Sequence, residues 1–249
     1  MSKFQSVLSK EDAKVVTDLI DEYIIPISNL HILIEDNKFI AGVIGDNLKK
    51  ETIEYFKYNH FIESINDLAN KTRYSIEKCV KGYLKLDIKK YNPVSNKLSS
   101  KEQSIYYFME NALFREIVLW DSLAQLYNIY FDLKIDIRKV CYKDLIKKLK
   151  NNAEIDFKSL ISYIEEPFSL KNDIDVGVHS YVNNLRNQMT HRYSIAITSF
   201  SNDYNLRAMP DAIYRIAKDY NEVTKRLCEI INLIIKRIYD NDIAELINL

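Results

Sequence analysis

Glycine and proline are scarce in this chain, with four of each in 249 residues, whereas the two together average roughly 12% of proteins. This scarcity leaves little of the turn chemistry that a β-sandwich or barrel needs, and it predicts helices throughout. It also removes glycine-rich phosphate-binding loops, because neither GxGxxG nor GxxxxGK[ST] occurs. The sequence therefore excludes Rossmann-type and P-loop nucleotide binding.

Cysteines are few and widely spaced, and no CxxC pair exists among Cys79, Cys141 and Cys228. We interpret them as reduced residues of the core rather than as zinc or redox ligands. Of the four histidines, His31, His60 and His179 stand at no metal-ligand spacing. The sequence therefore predicts neither a metal site nor a cofactor.

Charge is balanced overall, at 35 basic and 35 acidic residues, but it is unevenly distributed. Residues 71–90 and residues 134–150 each carry seven basic and two acidic side chains. Such tracts can contact a phosphate backbone, although many are simply solvated helix faces. No signal sequence and no run of 18 apolar residues is present, so we expect a cytoplasmic protein without a membrane partner.

The pattern along the chain indicates one helical domain. We expect a peripheral N-terminal segment, residues 1–49, and a bundle over residues 50–249 that includes a helical hairpin at 175–240. The first helix opens at a capping box of Ser9 and Asp12 and continues to Ile24. Residues 29–46 fit either a small β-hairpin or two short helices.

A second capping box, Ser100 with Gln103, opens a helix of about thirty residues. The predicted core face of this helix recurs at steps of three to four: Ile105, Phe108, Met109, Ala112, Leu113, Ile117, Trp120, Leu123, Ala124 and Tyr127. Glu116 and Asp121 lie near that face. They are either carboxylates that support a functional site or, as the more frequent case, solvated charges.

The last long helix begins at Pro210 and runs to about Tyr239. Its predicted core face is Ile213, Ile216, Tyr220, Val223, Leu227, Ile230, Ile231, Ile234 and Ile238. This face can pair with the preceding helix as an antiparallel hairpin.

That preceding helix carries the segment YVNNLRNQMTHRY, residues 181–193. On a helical wheel its apolar residues form a narrow stripe that must face a core: Val178, Val182, Leu185 and Met189. Asn187 and His191 point almost opposite that stripe, while Arg186 and Tyr193 share one flank. Core packing does not explain these four polar positions.

Their chemistry fits the metal-free cleavage of RNA. An imidazole exchanges protons near neutral pH, so His191 can serve the 2'-hydroxyl or the leaving 5'-oxygen. A guanidinium holds a phosphate through two parallel hydrogen bonds and stabilises negative charge, which suits Arg186. Asn187 can orient either group.

The string RNQMTH, residues 186–191, resembles the R-x4-6-H signature of the HEPN superfamily of small helical ribonucleases. The continuation to Tyr193 resembles the H-x-Y of HEPN toxins that are paired with nucleotidyltransferase antitoxins. The resemblance implies an all-α antiparallel bundle, dimerisation around the motif, and metal-independent endoribonuclease activity in toxin or antiviral-defence roles. The chain is far longer than the small toxins.

Wheel geometry also predicts a homodimer. Five helical steps place Arg186 and His191 roughly 140° apart, too far to converge on one atom of RNA unless the helix ends or bends between them. A second copy across a two-fold axis brings two motifs together. The alternatives are a non-catalytic RNA-binding or scaffold protein of the same fold, and a toxin that an antitoxin or nucleotidyltransferase partner regulates through nucleotide transfer to Tyr193.

Overall fold

A computed structural model of the chain describes residues 8–26, 50–86, 99–136, 138–150, 157–169, 173–191 and 209–240. Within these ranges the regular structure is entirely helical, which confirms the all-α prediction. The helices are α1 (Lys10–Asp21), α2 (Lys50–Tyr83), α3 (Ser100–Tyr130), α4 (Tyr142–Lys150), α5 (Lys158–Glu165), α6 (Val178–His191) and α7 (Met209–Asp240). The undecided segment 29–46 lies outside the described residues.

The three long helices α2, α3 and α7 pack against one another and enclose most of the core. The predicted face of α3 is buried as expected, except that Phe108 is only partly buried. The predicted face of α7 is buried from Ile213 to Ile234, while the Ile238 side chain is outside the description. Helix periodicity therefore identified the core faces correctly, because each face must repeat every 3.6 residues.

The first helix joins the same core through Ala13, Val16 and Ile20. Its capping box is present, because the Ser9 hydroxyl accepts from the Asp12 backbone N–H at 3.0 Å. The helix ends at Asp21 and not at Ile24. The position before a proline disfavours helical backbone, and the chain turns so that Ile25 is buried and the Pro26 carbonyl accepts from Asn66 at 3.2 Å.

The capping box of α3 lies one residue earlier than predicted. Ser99 and Glu102 form it, and the Glu102 carboxylate accepts from the Ser99 backbone N–H at 2.8 Å and from its hydroxyl at 2.7 Å. Ser100 and Gln103 have the same spacing, but a carboxylate forms stronger hydrogen bonds than an amide and is favoured by the positive end of the helix dipole.

The start of α6 is fixed by the loop that follows α5. Gly177 has a φ of +64° and its N–H donates to a Glu166 carboxylate oxygen at 2.8 Å. The Ser180 hydroxyl donates to the Glu166 carbonyl at 2.6 Å. A Cβ at Gly177 would lie 2.6 Å from backbone atoms of Pro167 and Phe168, so only glycine fits. This close approach sets where the motif helix begins.

Gly177→Ala is expected to destabilise the fold, because the side chain meets backbone atoms and the positive φ costs about 1 to 3 kcal/mol in itself. Urea unfolding should show a loss of at least that size. Ser180→Ala, which removes only one hydroxyl at the same junction, should cost about 1 kcal/mol. Equal stability of Gly177→Ala and wild type would contradict this account of the junction.

Candidate functional site

The motif helix α6 presents the predicted apolar stripe to the core. Val178, Val182 and Leu185 are buried and Met189 packs against the core from a partly buried position. Arg186 and Asn187 are partly exposed. His191 is the last residue of α6, but its side chain and the whole of Tyr193 lie outside the described residues. The structure therefore describes the side chains of two of the four predicted site residues, Arg186 and Asn187.

The buried face of α6 is wider than the predicted stripe. His179 is 2% exposed and Tyr181 is 5% exposed, so two polar residues near the start of the helix also face inward. His179 was classed from the sequence as an isolated histidine. Its partner, Asp219, lies 40 residues later on α7, and no local pattern in the sequence connects the two.

Asp219 is the centre of a buried polar cluster. Its carboxylate accepts from the Trp120 indole N–H at 3.0 Å and from the Tyr163 hydroxyl at 2.9 Å. The His179 Nδ1 lies 3.2 Å from both carboxylate oxygens. Burial acts to raise the pKa of Asp219, but the neighbouring His179 and the hydrogen bonds outweigh it and lower the pKa. An ionised Asp219 can only accept, so the His179 Nδ1 carries the proton in this pair.

Glu116 lies beside this cluster on α3 and is fully buried, which corrects the prediction that it is a solvated charge. Burial, and then the charge of Asp219, raise its pKa well above the ordinary value. A protonated Glu116 carboxyl can donate to Asp219, and this side-chain hydrogen bond contributes to raising the pKa of Glu116 and lowering that of Asp219. The electrostatic coupling favours a protonated Glu116 next to an ionised Asp219, because two adjacent buried carboxylates cannot both carry charge cheaply.

Arg186 lies near Asp121 and Tyr142. Burial raises the pKa of Asp121, and the Tyr142 backbone N–H and the charges of Arg186 and Lys143 partly oppose the rise. That backbone N–H donates to Asp121 at 3.1 Å. Asp121 is therefore a half-buried carboxylate in the electrostatic field of the motif arginine, between the two alternatives that the sequence left open. The Arg186 Nε is buried and has no acceptor among the described residues.

A cavity of about 300 Å³ opens beside α6, between α4 and α5. Its lining comprises Tyr142, Lys143, Ile146, Lys147, Lys150, Ile164, Glu165, His179, Ser180 and Asn183. At 100° per residue, His179, Asn183 and Arg186 lie on one face of α6, so the motif arginine follows the cavity-lining residues along the helix. Tyr142 lines the cavity and also lies in the electrostatic field of Arg186.

Part of the basic tract of residues 134–150 contributes to this cavity. Lys147 pairs with Asp144 at 3.3 Å and Lys150 pairs with Glu165 at 2.6 Å, and all four of these side chains are more than one third exposed. Lys143 forms no ion pair with the residues that the structure describes, and its ammonium lies 5.9 Å from the centre of the Tyr142 ring. Exposed pairs contribute only about 0 to 1 kcal/mol, so these lysines can exchange their partners for an anion.

Among all the residues that the structure describes, no group of His, Cys, Asp and Glu is arranged to hold a metal ion. Among the same residues, no helix is long and apolar enough to cross a membrane.

The raised pKa of Glu116 generates a pH-dependent prediction. The folded state holds the proton more tightly than the unfolded chain, so this group stabilises most below its ordinary pKa of 4.5. The contribution of Glu116 to the free energy of unfolding falls as the pH rises toward its raised pKa, by up to about 1.4 kcal/mol per pH unit. Glu116→Gln keeps the shape without ionising, so its unfolding free energy should improve relative to wild type as the pH rises above the ordinary pKa of 4.5.

Urea unfolding of both proteins at several pH values measures this difference. The exposed Glu63→Gln on α2 is the control for the loss of a carboxylate at the surface. A difference between Glu116→Gln and wild type that stays constant with pH would show that Glu116 is not held protonated.

Comparison with known proteins identifies the family. The HEPN family model described as HEPN_Cthe2314-like HEPN matches residues 46–241. This match covers more than half of the 249 residues and contains α2 to α7. Comparisons with curated proteins and with solved structures give no match. The chain therefore belongs to the HEPN superfamily, as the resemblance of residues 186–193 predicted.

Proposed function

We propose that this protein is a metal-independent HEPN endoribonuclease. Arg186 binds the scissile phosphate, His191 transfers protons, and Asn187 positions these two groups. The observation that carries the proposal is the placement of Arg186, which follows the lysine-lined cavity along one face of α6. Family membership supports the same reaction class, since HEPN domains are often ribonucleases.

The reaction needs a base, an acid and a cation that stabilises the phosphoryl oxygens. A base removes the proton of the 2'-hydroxyl, whose oxygen attacks the adjacent phosphorus, and the bond to the 5'-oxygen breaks. The products are a 2',3'-cyclic phosphate and a 5'-hydroxyl, and the 5'-oxygen receives a proton from an acid. His191 can perform either proton transfer. The Arg186 guanidinium stabilises the additional negative charge on the phosphoryl oxygens.

The active unit in this proposal is a homodimer. Arg186 and His191 of one helix diverge by roughly 140° around its axis, so an isologous contact supplies Arg186 from one protomer and His191 from its partner. The chain acts as a toxin or antiviral-defence effector whose partner is an antitoxin or a nucleotidyltransferase. Nucleotide transfer to Tyr193 would add phosphate charge next to the motif and inhibit RNA binding.

Cleavage of RNA by purified protein tests the site. His191→Ala should reduce the rate on the order of 10² to 10⁴, because a positioned proton donor or acceptor is lost. Arg186→Lys should also be strongly impaired, since it keeps the charge near Asp121 but loses the two-pronged phosphate contact. Chelators should have no effect, and DNA should not be cut, because DNA lacks the 2'-hydroxyl.

The matched control is Asn184→Ala, which changes an exposed polar residue on the same helix. It should cleave at the wild-type rate. A requirement for a divalent metal, or full activity in His191→Ala, would overturn the catalytic assignment. RNA binding without cleavage would favour a non-catalytic RNA-binding scaffold.

Co-expression of two inactive variants tests the composite site. A mixed dimer of Arg186→Lys and His191→Ala contains one intact site if the two residues come from different protomers. Half of the dimers in a random mixture are mixed, so about a quarter of wild-type activity should return.

The cleavage rate of each variant expressed alone provides the baseline. Light scattering measures the mass of the protein in solution and so checks that it is a dimer. The absence of recovery in a confirmed mixed dimer would show that Arg186 and His191 act within one protomer. A protein that is monomeric at micromolar concentration and fully active would exclude the dimer altogether.

A further inference from the structure

Three residues that line the cavity between α4, α5 and α6 each carry a buried polar atom without a hydrogen-bond partner among the described residues. These atoms are the Tyr142 hydroxyl, the His179 Nε2 and the Asn183 Oδ1. Tyr142 is 3% exposed and His179 is 2% exposed. A buried polar atom without a partner is costly. Three of them around one cavity indicate a ligand that supplies the missing hydrogen bonds.

These atoms are also held in fixed positions. The Nδ1 of His179 lies 3.2 Å from the Asp219 carboxylate, and this contact fixes the orientation of the ring. The Tyr142 ring packs edge-on against the His179 ring, with centroids 5.0 Å apart. Asn183 follows His179 by one turn of α6. The wall is therefore pre-organised and does not need to rearrange when a ligand binds.

The remaining lining defines what kind of ligand fits. Ile146 and Ile164 provide apolar surface, while Lys143, Lys147 and Lys150 provide positive charge; Glu165 also lines the cavity and is paired with Lys150. A volume of about 300 Å³ suits a single planar group with its attached phosphate rather than a duplex. Unpaired RNA bases are recognised in this way, through apolar contact and hydrogen bonds to their edges.

We propose that this cavity binds one unpaired RNA base next to the scissile phosphate and so determines where the enzyme cuts. The lysines contact the flanking phosphates, and Tyr142, His179 and Asn183 bind the base edge. The Asn183 amide oxygen accepts and the Tyr142 hydroxyl can donate or accept, so the cavity prefers a base that donates through an exocyclic amino group. Adenine, cytosine and guanine have such a group and uracil does not. The identity of the ligand as RNA rests on the proposed function.

Binding of short single-stranded adenine, cytosine and uracil oligoribonucleotides to the full-length His191→Ala protein tests the inference without cleavage. Fluorescence anisotropy should show that adenine or cytosine oligomers bind roughly tenfold more tightly than uracil oligomers, as expected for about two hydrogen bonds. Tyr142→Phe and Asn183→Leu should reduce this preference and leave uracil binding unchanged. Free adenosine and cytidine monophosphates, titrated separately, show whether the base binds without an RNA chain.

Two lysines on α4 provide a matched pair. Lys143→Gln should weaken the binding of all three oligomers, while Lys148→Gln, an exposed residue that does not line the cavity, should not. Urea unfolding should show Tyr142→Phe and Asn183→Leu to be at least as stable as the parent, since each removes a buried atom without a partner.

Equal affinity for all three oligomers, or a preference that persists in both cavity variants, would overturn the inference. The outcome is separable from the nuclease proposal. Base-dependent binding by a wild-type protein that cuts no RNA would leave the base-binding cavity standing and reject the catalysis. Cleavage of RNA without any base preference in binding would support the catalysis and reject the base-binding cavity.

Discussion

The Asp219 carboxylate is shielded from water on α7 and accepts hydrogen bonds from side chains on α3, α5 and α6. A buried charge is tolerated only when donors surround it. The positions of Trp120, Tyr163 and His179 are therefore coupled, and so are the three helices that carry them. Loss of one partner from such a network typically costs several kcal/mol. Because the hydrogen bond from His179 ties α6 to this carboxylate, it contributes, together with the buried apolar stripe, to fixing the rotation of the motif helix about its axis.

The sequence predicted the core faces of α3, α6 and α7 well. Apolar residues that must share a buried surface repeat with the helical period, and the scarcity of glycine and proline removed competing patterns. Errors at helix ends were small and local. Two overlapping serine signals competed at the start of α3, and the carboxylate of Glu102 decided between them.

The sequence could not predict the buried cluster. Glu116, His179 and Asp219 come from three helices, and each one alone resembles an ordinary surface residue of an amphipathic helix. Glu116 stands within an apolar face, which was a usable signal, but solvated charges are far more common than buried ones. The hydrogen-bond partners of these residues lie about 40 to 100 residues away in the sequence. A short segment of sequence therefore does not reveal them, and only the folded chain brings them together.

The sequence motif at residues 186–191 and the basic tract at residues 134–150 are far apart in the sequence, but the fold brings them close together. Residues 134–150 reach the same cavity as the first turns of α6, so positive charge and the motif arginine occupy one side of the bundle. The arrangement explains why a chain without net charge can still present a local anion-binding surface.

Trp120 is the only tryptophan of the chain, and it lies at the centre of the buried cluster. Its N–H is bound to Asp219 and its ring lies 4.9 Å from the His179 ring, which lines the cavity. Indole emission depends on the polarity and on the quenching groups around the ring. The protein therefore contains a spectroscopic reporter at the junction of its core and its cavity, and a change in either should alter the fluorescence of the unlabelled chain.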